Sequence, residues 1–320
     1  MTTGLETEAL PAGAPETGSP EPATLLFVGG TGRSGTHVVS KILGNHSSYR
    51  KVPSEVRFHT DEGGFPDVLS GRTGPDLFVY RLRHHWYRNF EARRLTFRGF
   101  HNYVPRARLD AASTSFLRRF EIEPEAALRQ LFFDLLWPLA TEWSKSGLIE
   151  QSCDTVREAG TLSKLFPEAR FVHVVRDGRD VAASRVGQAR WLSYPRTMDQ
   201  GLEWWEGRIR AIDAGVRVAG ADKVAAVSLD DLVTDEGRRR SFAELRRFAG
   251  LPSERDMLDY FQGRVKTRNA HTERWRDAVP TRRQEEIDAR YAEILDGLEA
   301  DNVHGAGLLR RVRERSSQTR

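Results

Sequence analysis

Arg33 stands inside a glycine-punctuated loop, Gly29-Gly30-Thr31-Gly32-Arg33-Ser34-Gly35-Thr36-His37, and a cation in such a loop suits it to holding an anion. Glycines let the backbone approach a phosphate, and the N–H groups opening the next helix point at it with the positive end of the helix dipole behind them. Arg176 and Ser184 form a second pair, eight residues apart. A guanidinium offers a bidentate fork to a phosphate and a hydroxyl adds one more donor, so a second anionic group can be held away from the first. Glu55 is a carboxylate just past a short run, Tyr49 to Val52, and can accept a proton from a reacting hydroxyl. The first loop departs from the triphosphatase pattern G-x-x-x-x-G-K-[ST]. Counted from Gly30, Thr36 takes the place of the lysine and His37 that of the hydroxyl residue that holds Mg²⁺. These residues suit a nucleotide phosphate bound without a metal, and no cluster has metal-ligand spacing, so no metal is expected.

Strands and helices in alternation must position these residues. Leu25 to Val28 read as a buried strand feeding the loop, and Thr36 to Leu43 as the helix that follows. Tyr49 to Val52 is a second short strand with Glu55 at or beyond its end. Glu123-Pro124-Glu125 opens a helix running to about Ser146, closed by Gly147, and Leu148 to Glu150 is a brief strand. Thr155 to Phe166 is a helix. Arg170 to Val175 is a continuous apolar strand of the kind buried on both faces of a parallel sheet, with His173 as a core histidine. It places Arg176 at its carboxyl end, where open α/β sheets bind ligands. Helices over 199–220, 235–249, 253–261 and 281–298 surround a last strand at 223–229, and 263–280 reads as loop anchored by Trp275. The expected fold is α/β, a P-loop-type doubly wound parallel sheet flanked by helices, in a single domain with a helical insertion over about 57–147. Residues 1–23, rich in Ala, Pro, Glu, Thr and Gly, read as a disordered tail, 24–300 as the folded domain, and 301–320 as a basic C-terminal tail whose end frays.

The 320 residues can bury one large core, and 39% of them are hydrophobic. A net charge of +4, from 49 Lys and Arg against 45 acids, gives a mild field. That favours anionic ligands without implying nucleic acid. A basic and aromatic stretch over 76–120, including Arg93, Arg94 and Arg98, reads as a solvated face with Trp86 and Tyr87 packed beneath it. The single cysteine, Cys153, excludes an intramolecular disulfide and fits a reducing compartment. No apolar stretch reaches the ~18 residues of a membrane span and no signal peptide is recognisable, so a cytoplasmic location is expected.

The two phosphate motifs, in order, resemble those of the sulfotransferases that use 3′-phosphoadenosine 5′-phosphosulfate. Their 5′-phosphosulfate loop is similar to Gly-Thr-Gly-Arg-Ser-Gly-Thr at 30–36, and their 3′-phosphate motif to Arg176 and Ser184. The run from Leu165 to Arg179, the segment Ser228-Leu-Asp-Asp-Leu-Val-Thr234 with Phe248-Ala-Gly-Leu-Pro252, and Thr272-Glu-Arg-Trp-Arg276 extend the likeness over 24–300. It is nearest in feel to bacterial members and to the tyrosylprotein branch. The resemblance implies that Gly32, Arg33, Ser34, Gly35, Thr36 and His37 hold the 5′ end of the donor. It assigns the 3′-phosphate to Arg176 and Ser184, and the closing loop to Arg274. It implies Glu55 as base, with His37 or His59 as substitutes, and Arg57 and His59 as acceptor-binding residues. The acceptor is expected to be a small molecule, glycan or lipid. Gln151-Ser152-Cys153 replaces the lysine-bearing Lys-Asp-Pro of the tyrosylprotein branch, so that lysine's duty would fall to Arg33. The alternatives are a P-loop kinase or NTPase, against which the missing lysine counts, and a non-catalytic nucleotide-binding protein.

Overall fold

Leu25–Gly30 (β1) is buried along its whole length and lies at the centre of a five-stranded, all-parallel sheet. The computed structural model describes residues 24–91, 96–97, 99–188, 194–270 and 272–318. The tail expected over 1–23 lies outside the described residues, as do Arg93, Arg94 and Arg98. Tyr49–Lys51 (β2), Gly147–Glu150 (β5), Arg170–Val175 (β6) and Val224–Ser228 (β7) complete the sheet, in the order β2-β5-β1-β6-β7. Phe90–Glu91 (β3) and Thr96–Phe97 (β4) form a separate antiparallel pair. The chain leaves β1 toward β2 on one side and later fills β6 and β7 on the other. That reversal opens a crevice at the carboxyl end of β1, which is the position of the glycine loop.

Both faces of the sheet are covered because β1 alternates its side chains between two cores. Leu25 and Phe27 pack with Phe58, Phe132, Phe166 and Phe171, whereas Leu26 and Val28 pack with Val39, Ile42, Val172 and Val174. Such two-sided burial is what a near-continuous apolar strand requires. The first core extends into the segment between β2 and β5. There the helices Phe65–Leu69, Pro75–Arg81, Arg106–Phe120 and Pro124–Leu136 surround a chain of rings including Phe65, Phe78 and Phe116. Trp86 and Tyr87 are buried beneath that segment, and Arg83, Arg106 and Arg108 pair with Asp110 and Glu142 at the surface.

Four expectations need correction. The helix read from Glu123 to Ser146 is two, Pro124–Leu136 and Pro138–Thr141. Pro138 has no N–H to donate to the carbonyl four residues back, so the first helix stops before it. The helix read over 155–166 begins later, at Ala159, after a 3₁₀ turn at Cys153–Thr155. The segment 263–280, read as loop, carries short helices at Thr267–Ala270 and Arg274–Ala278, with Trp275 fully buried under the Arg179 guanidinium at 4.7 Å. The C-terminal stretch does not fray at its start. Ala306–Gln318 is a helix with Ala306, Leu309 and Val312 buried, and Arg310, Arg313 and Arg315 pair with Glu299, Asp288 and Asp231 of the body. Arg310, Arg313 and Arg315, which read as part of a charged tail, here dock the helix onto the body. Among the described residues, no helix is long and apolar enough to cross a membrane.

His173 is the core histidine that the sequence suggested. It is fully buried on β6, stacked on His304 at 5.4 Å, with neither ring nitrogen hydrogen-bonded among the described residues. Burial, reinforced by His304, pushes its pKa from 6.5 down to about 3. Above pH 6.5 the ring is neutral folded or unfolded. Below it only the unfolded chain takes the proton, so stability is expected to fall by ~1.4 kcal/mol per pH unit from this group until about pH 3. Urea unfolding between pH 4 and 7 measures this. His173→Phe should flatten that limb, and an unchanged slope would assign acid sensitivity elsewhere.

Candidate functional site

The glycine loop folds as it does because two of its positions reject a side chain. A Cβ on Gly30 would sit 2.6 Å from the Val174 carbonyl oxygen of the neighbouring strand. Gly35 has φ +95°, and its left-handed turn starts the helix Thr36–Gly44. Because Gly35 brings no capping side chain, the first-turn N–H groups of that helix are left for a ligand. Arg33 is also left-handed, at φ +61°, a conformation uncommon for a residue with a Cβ. Strain of this kind persists where the surroundings impose it.

What imposes it is the second motif. The helix Gly178–Val186 carries Ser184 to the loop, and Arg33 Nε donates to Ser184 Oγ at 2.9 Å across 151 residues of sequence. Arg176, at the end of β6, donates from one terminal nitrogen to the Arg33 carbonyl at 3.1 Å and from the other to the Ala270 carbonyl at 2.9 Å. Burial lowers the Arg33 pKa, and the positive charges of Arg176, Arg274 and Arg185 lower it further. Four guanidinium groups therefore bear on one region at the carboxyl end of the sheet. That arrangement is unfavourable until an anion is present, and is suited to one carrying more than one negative charge.

Buried carboxylates scaffold this basic centre. Asp177 caps the helix Gly178–Val186 through the Arg179 N–H at 2.9 Å and pairs with the fully buried Arg179 guanidinium. Asp180, 3.6 Å from Arg176, accepts the N–H groups of Glu273 at 2.9 Å and Trp275 at 3.0 Å. Its burial, with Asp177 nearby, pushes its pKa up to about 7. Asp177, Arg179 and Asp180 are charged neighbours of a kind that commonly pair at a surface. In the structure they are interior, and they fasten the segment bearing Arg274 beside Arg176. Arg274 is itself exposed at the start of its short helix.

Glu55 faces the loop from beyond β2. Its Oε2 accepts from Arg57 Nε at 2.9 Å, Cys153 Sγ donates to Oε1 at 3.5 Å, and His37 Nε2 lies 4.0 Å from the same oxygen. Burial, with Glu55 beside it, pushes the Cys153 thiol up to about 12, so the group is a neutral donor. Burial lowers the His37 pKa, and Glu55 opposes that shift.

His59 is a correction. It is fully buried, 3.0 Å from the Glu150 carboxylate and packed against Phe27 and Phe132 at 5.6 and 5.5 Å, so it presents no surface to an acceptor. Gln151 is also interior, accepting from Ser40 Oγ at 2.5 Å. The sequence reading missed Cys153 and Arg185 as neighbours of these centres. Arg185 directly follows Ser184 and was open to notice. Cys153 meets Glu55 only because β5 lies between β1 and β2.

Residues 26–256 match the family model of the sulfotransferase family. Curated proteins give no match by sequence. Among solved structures, the sulfotransferase domain of the Synechococcus PCC 7002 olefin synthase is similar at 18% identity over 86% of this chain and 96% of that one, with a TM-score of 0.51, a likeness of fold. A sulfotransferase from Alicyclobacillus acidocaldarius matches at 16% identity, covering 88% and 95% of the two chains with a TM-score of 0.42. A retinol dehydratase in complex with retinol and PAP matches at 11% identity, covering 87% and 82%, with a TM-score of 0.41.

Proposed function

The chain belongs to the sulfotransferase family, and from that premise we propose that its site moves a sulfuryl group from 3′-phosphoadenosine 5′-phosphosulfate to a hydroxyl or amine of a small-molecule, glycan or lipid acceptor. The observation that carries this reading is the Arg33–Ser184 hydrogen bond. It joins the two anion motifs into one site, as a donor with phosphates at both ends of its ribose requires. In this reading the N–H groups of Ser34 to His37, with Gly32, Gly35 and the Thr36 hydroxyl, hold the 5′-phosphosulfate. Arg176 and Ser184 hold the 3′-phosphate, and Arg274 closes over the nucleotide.

Three tasks then fall to side chains. Glu55 takes the proton of the attacking acceptor group, with Arg57 orienting the carboxylate and standing where the acceptor enters. The acceptor oxygen or nitrogen forms its bond to sulfur while the bond from sulfur to the 5′-phosphate oxygen breaks, the two in line. Arg33 and the loop N–H groups stabilise the negative charge that gathers on the departing phosphate oxygen. The products are the sulfated acceptor and adenosine 3′,5′-bisphosphate.

The test is a comparison of nucleotides. At a hundred times its Kd the bisphosphate should stabilise the fold by about 2.7 kcal/mol, read as a rise in Tm, whereas adenosine 5′-monophosphate at the same concentration should do much less. Arg176→Ala should remove most of the difference. Equal stabilisation by both nucleotides would show that the second phosphate is not read here. Transfer of labelled sulfate from the donor into a cell extract, with the product's mass measured, identifies the acceptor.

A further inference from the structure

Glu150 has no task in the reaction above, yet it is fully buried at the end of β5 and among the most heavily contacted polar groups in the site. Its two oxygens accept the Ser152 N–H at 3.0 and 2.9 Å, Oε1 accepts Ser152 Oγ at 2.7 Å, and Oε2 lies 3.0 Å from His59 Nε2. Ser152 Oγ in turn accepts the Arg57 N–H at 3.1 Å. Arg57 is left-handed, at φ +62°, and that turn carries its guanidinium back onto Glu55. On the other side of Ser152, Cys153 donates to the second oxygen of Glu55. A chain of contacts therefore runs from His59, wedged among Phe27, Phe58 and Phe132, through Glu150 and Ser152 to both oxygens of Glu55.

We infer that Glu150 is a positioning residue: with Ser152 it sets the aim of the Glu55 carboxylate by holding the 55–57 turn from below and Cys153 from the side. The inference rests on Glu55 being the base, and it goes beyond that reading by assigning Glu150, Ser152 and His59, which touch no substrate, to the alignment of the base. Burial alone would raise the Glu150 pKa, but His59 and the Ser152 donors outweigh it and hold the pKa below the usual carboxylate range. The group is thus an ionised acceptor at neutral pH, which is what two donors from Ser152 require. A buried carboxylate serving only cohesion could pair with His59 and leave Ser152 and Arg57 unconnected to it. Here the connection is made twice.

The chain has one cysteine, and it touches Glu55, so its alkylation reports the carboxylate's position without any turnover. In the wild type, iodoacetamide at pH 8 should react slowly with Cys153. Glu55→Ala should set the upper rate. Glu150→Gln should raise the rate toward that limit, by about three- to fourfold for each unit by which the thiol's pKa falls, since ~10-fold more thiolate is partly offset by its lower nucleophilicity. It should also lower kcat at least as much while the KM for donor stays unchanged. Because Glu150→Gln removes a buried charge opposite His59 and can fail to fold, Ser152→Ala is the second variant. It cuts the link to Arg57 but leaves Glu150 and His59 paired, and it should reproduce both effects, with Ser152→Thr restoring them. Folded Glu150→Gln or Ser152→Ala protein with wild-type alkylation and wild-type turnover would overturn the inference. So would loss of Tm and of bisphosphate binding in parallel, with alkylation unchanged. Faster alkylation in a protein whose wild type transfers no sulfuryl group would support the positioning and count against the transfer reading.

Discussion

Glu55→Gln is expected to cut turnover by ~10²–10⁴-fold, the usual yield of general-base catalysis, and to leave binding of adenosine 3′,5′-bisphosphate unchanged. The substitution keeps the size of the side chain and removes its ability to take a proton. The structure sharpens the competing reading, because Glu55 does pair with Arg57 at 2.9 Å. If that pair were only a surface contact, its loss should change stability by less than ~1 kcal/mol and leave turnover intact. Steady-state kinetics together with thermal unfolding separates the two. An active Glu55→Gln enzyme would move the base to His37, 4.0 Å from the same carboxylate, and not to His59, which is sealed in the core.

Arg33→Ala is expected to lower kcat by ~10²–10³-fold, the typical effect of removing one preorganised donor from a developing oxyanion, and to weaken donor binding far less. Some loss of affinity is expected because Arg33 also braces Ser184 at 2.9 Å. The left-handed backbone at Arg33 supplies a control. Arg33→Gly removes the same guanidinium but adopts φ +61° without strain, so it should fold more stably than Arg33→Ala while being equally impaired in kcat. If Arg33→Ala kept a near-normal kcat, stabilisation of the leaving oxygen would pass to the loop N–H groups alone.

The parts of the molecule that were legible are those whose signal is local. The apolar run before Gly29, the apolar strand before Arg176 and the spacing of Arg176 and Ser184 each lie within a dozen residues; the two runs are neighbouring strands of the parallel sheet, and Ser184 lies on the helix that follows the second. What could not be read depends on topology. Glu55 meets Cys153 only because β5 is inserted between β2 and β1. His59 follows Val56, Arg57 and Phe58 in a segment with no clean period. Nothing in the sequence says that the left-handed turn at Arg57 sends the next two side chains inward. The C-terminal arginines looked solvated because their partners, Asp231, Asp288 and Glu299, are scattered over some 70 residues of earlier sequence. The interior place of Asp177, Arg179 and Asp180 could not be read for the same reason. The Tyr291, Trp275 and Asp288 side chains that enclose Arg179 come from beyond residue 270.

The central place of β1 has a bearing on how the chain is made. Its hydrogen-bonding neighbours, β5 and β6, begin at Gly147 and Arg170, whereas β1 ends at Gly30. Synthesis proceeds at ~5–20 residues per second, so an emerging strand of Leu-Leu-Phe-Val waits on the order of ten seconds before either partner leaves the ribosome. For that interval its edges are unpaired and the side chains of at least one face are uncovered, the condition under which nascent chains associate with one another. The helix Thr36–Gly44 can cover one face early, through Val39 and Ile42, whereas the insertion between β2 and β5 lengthens the wait and later covers the other face, because its helix Pro124–Leu136 brings Phe132 against Phe27. Yield of soluble protein is therefore expected to depend on translation speed and on chaperones that bind early. Slowed initiation, which keeps fewer nascent chains exposed at one time, should recover more soluble chain than any substitution in the site.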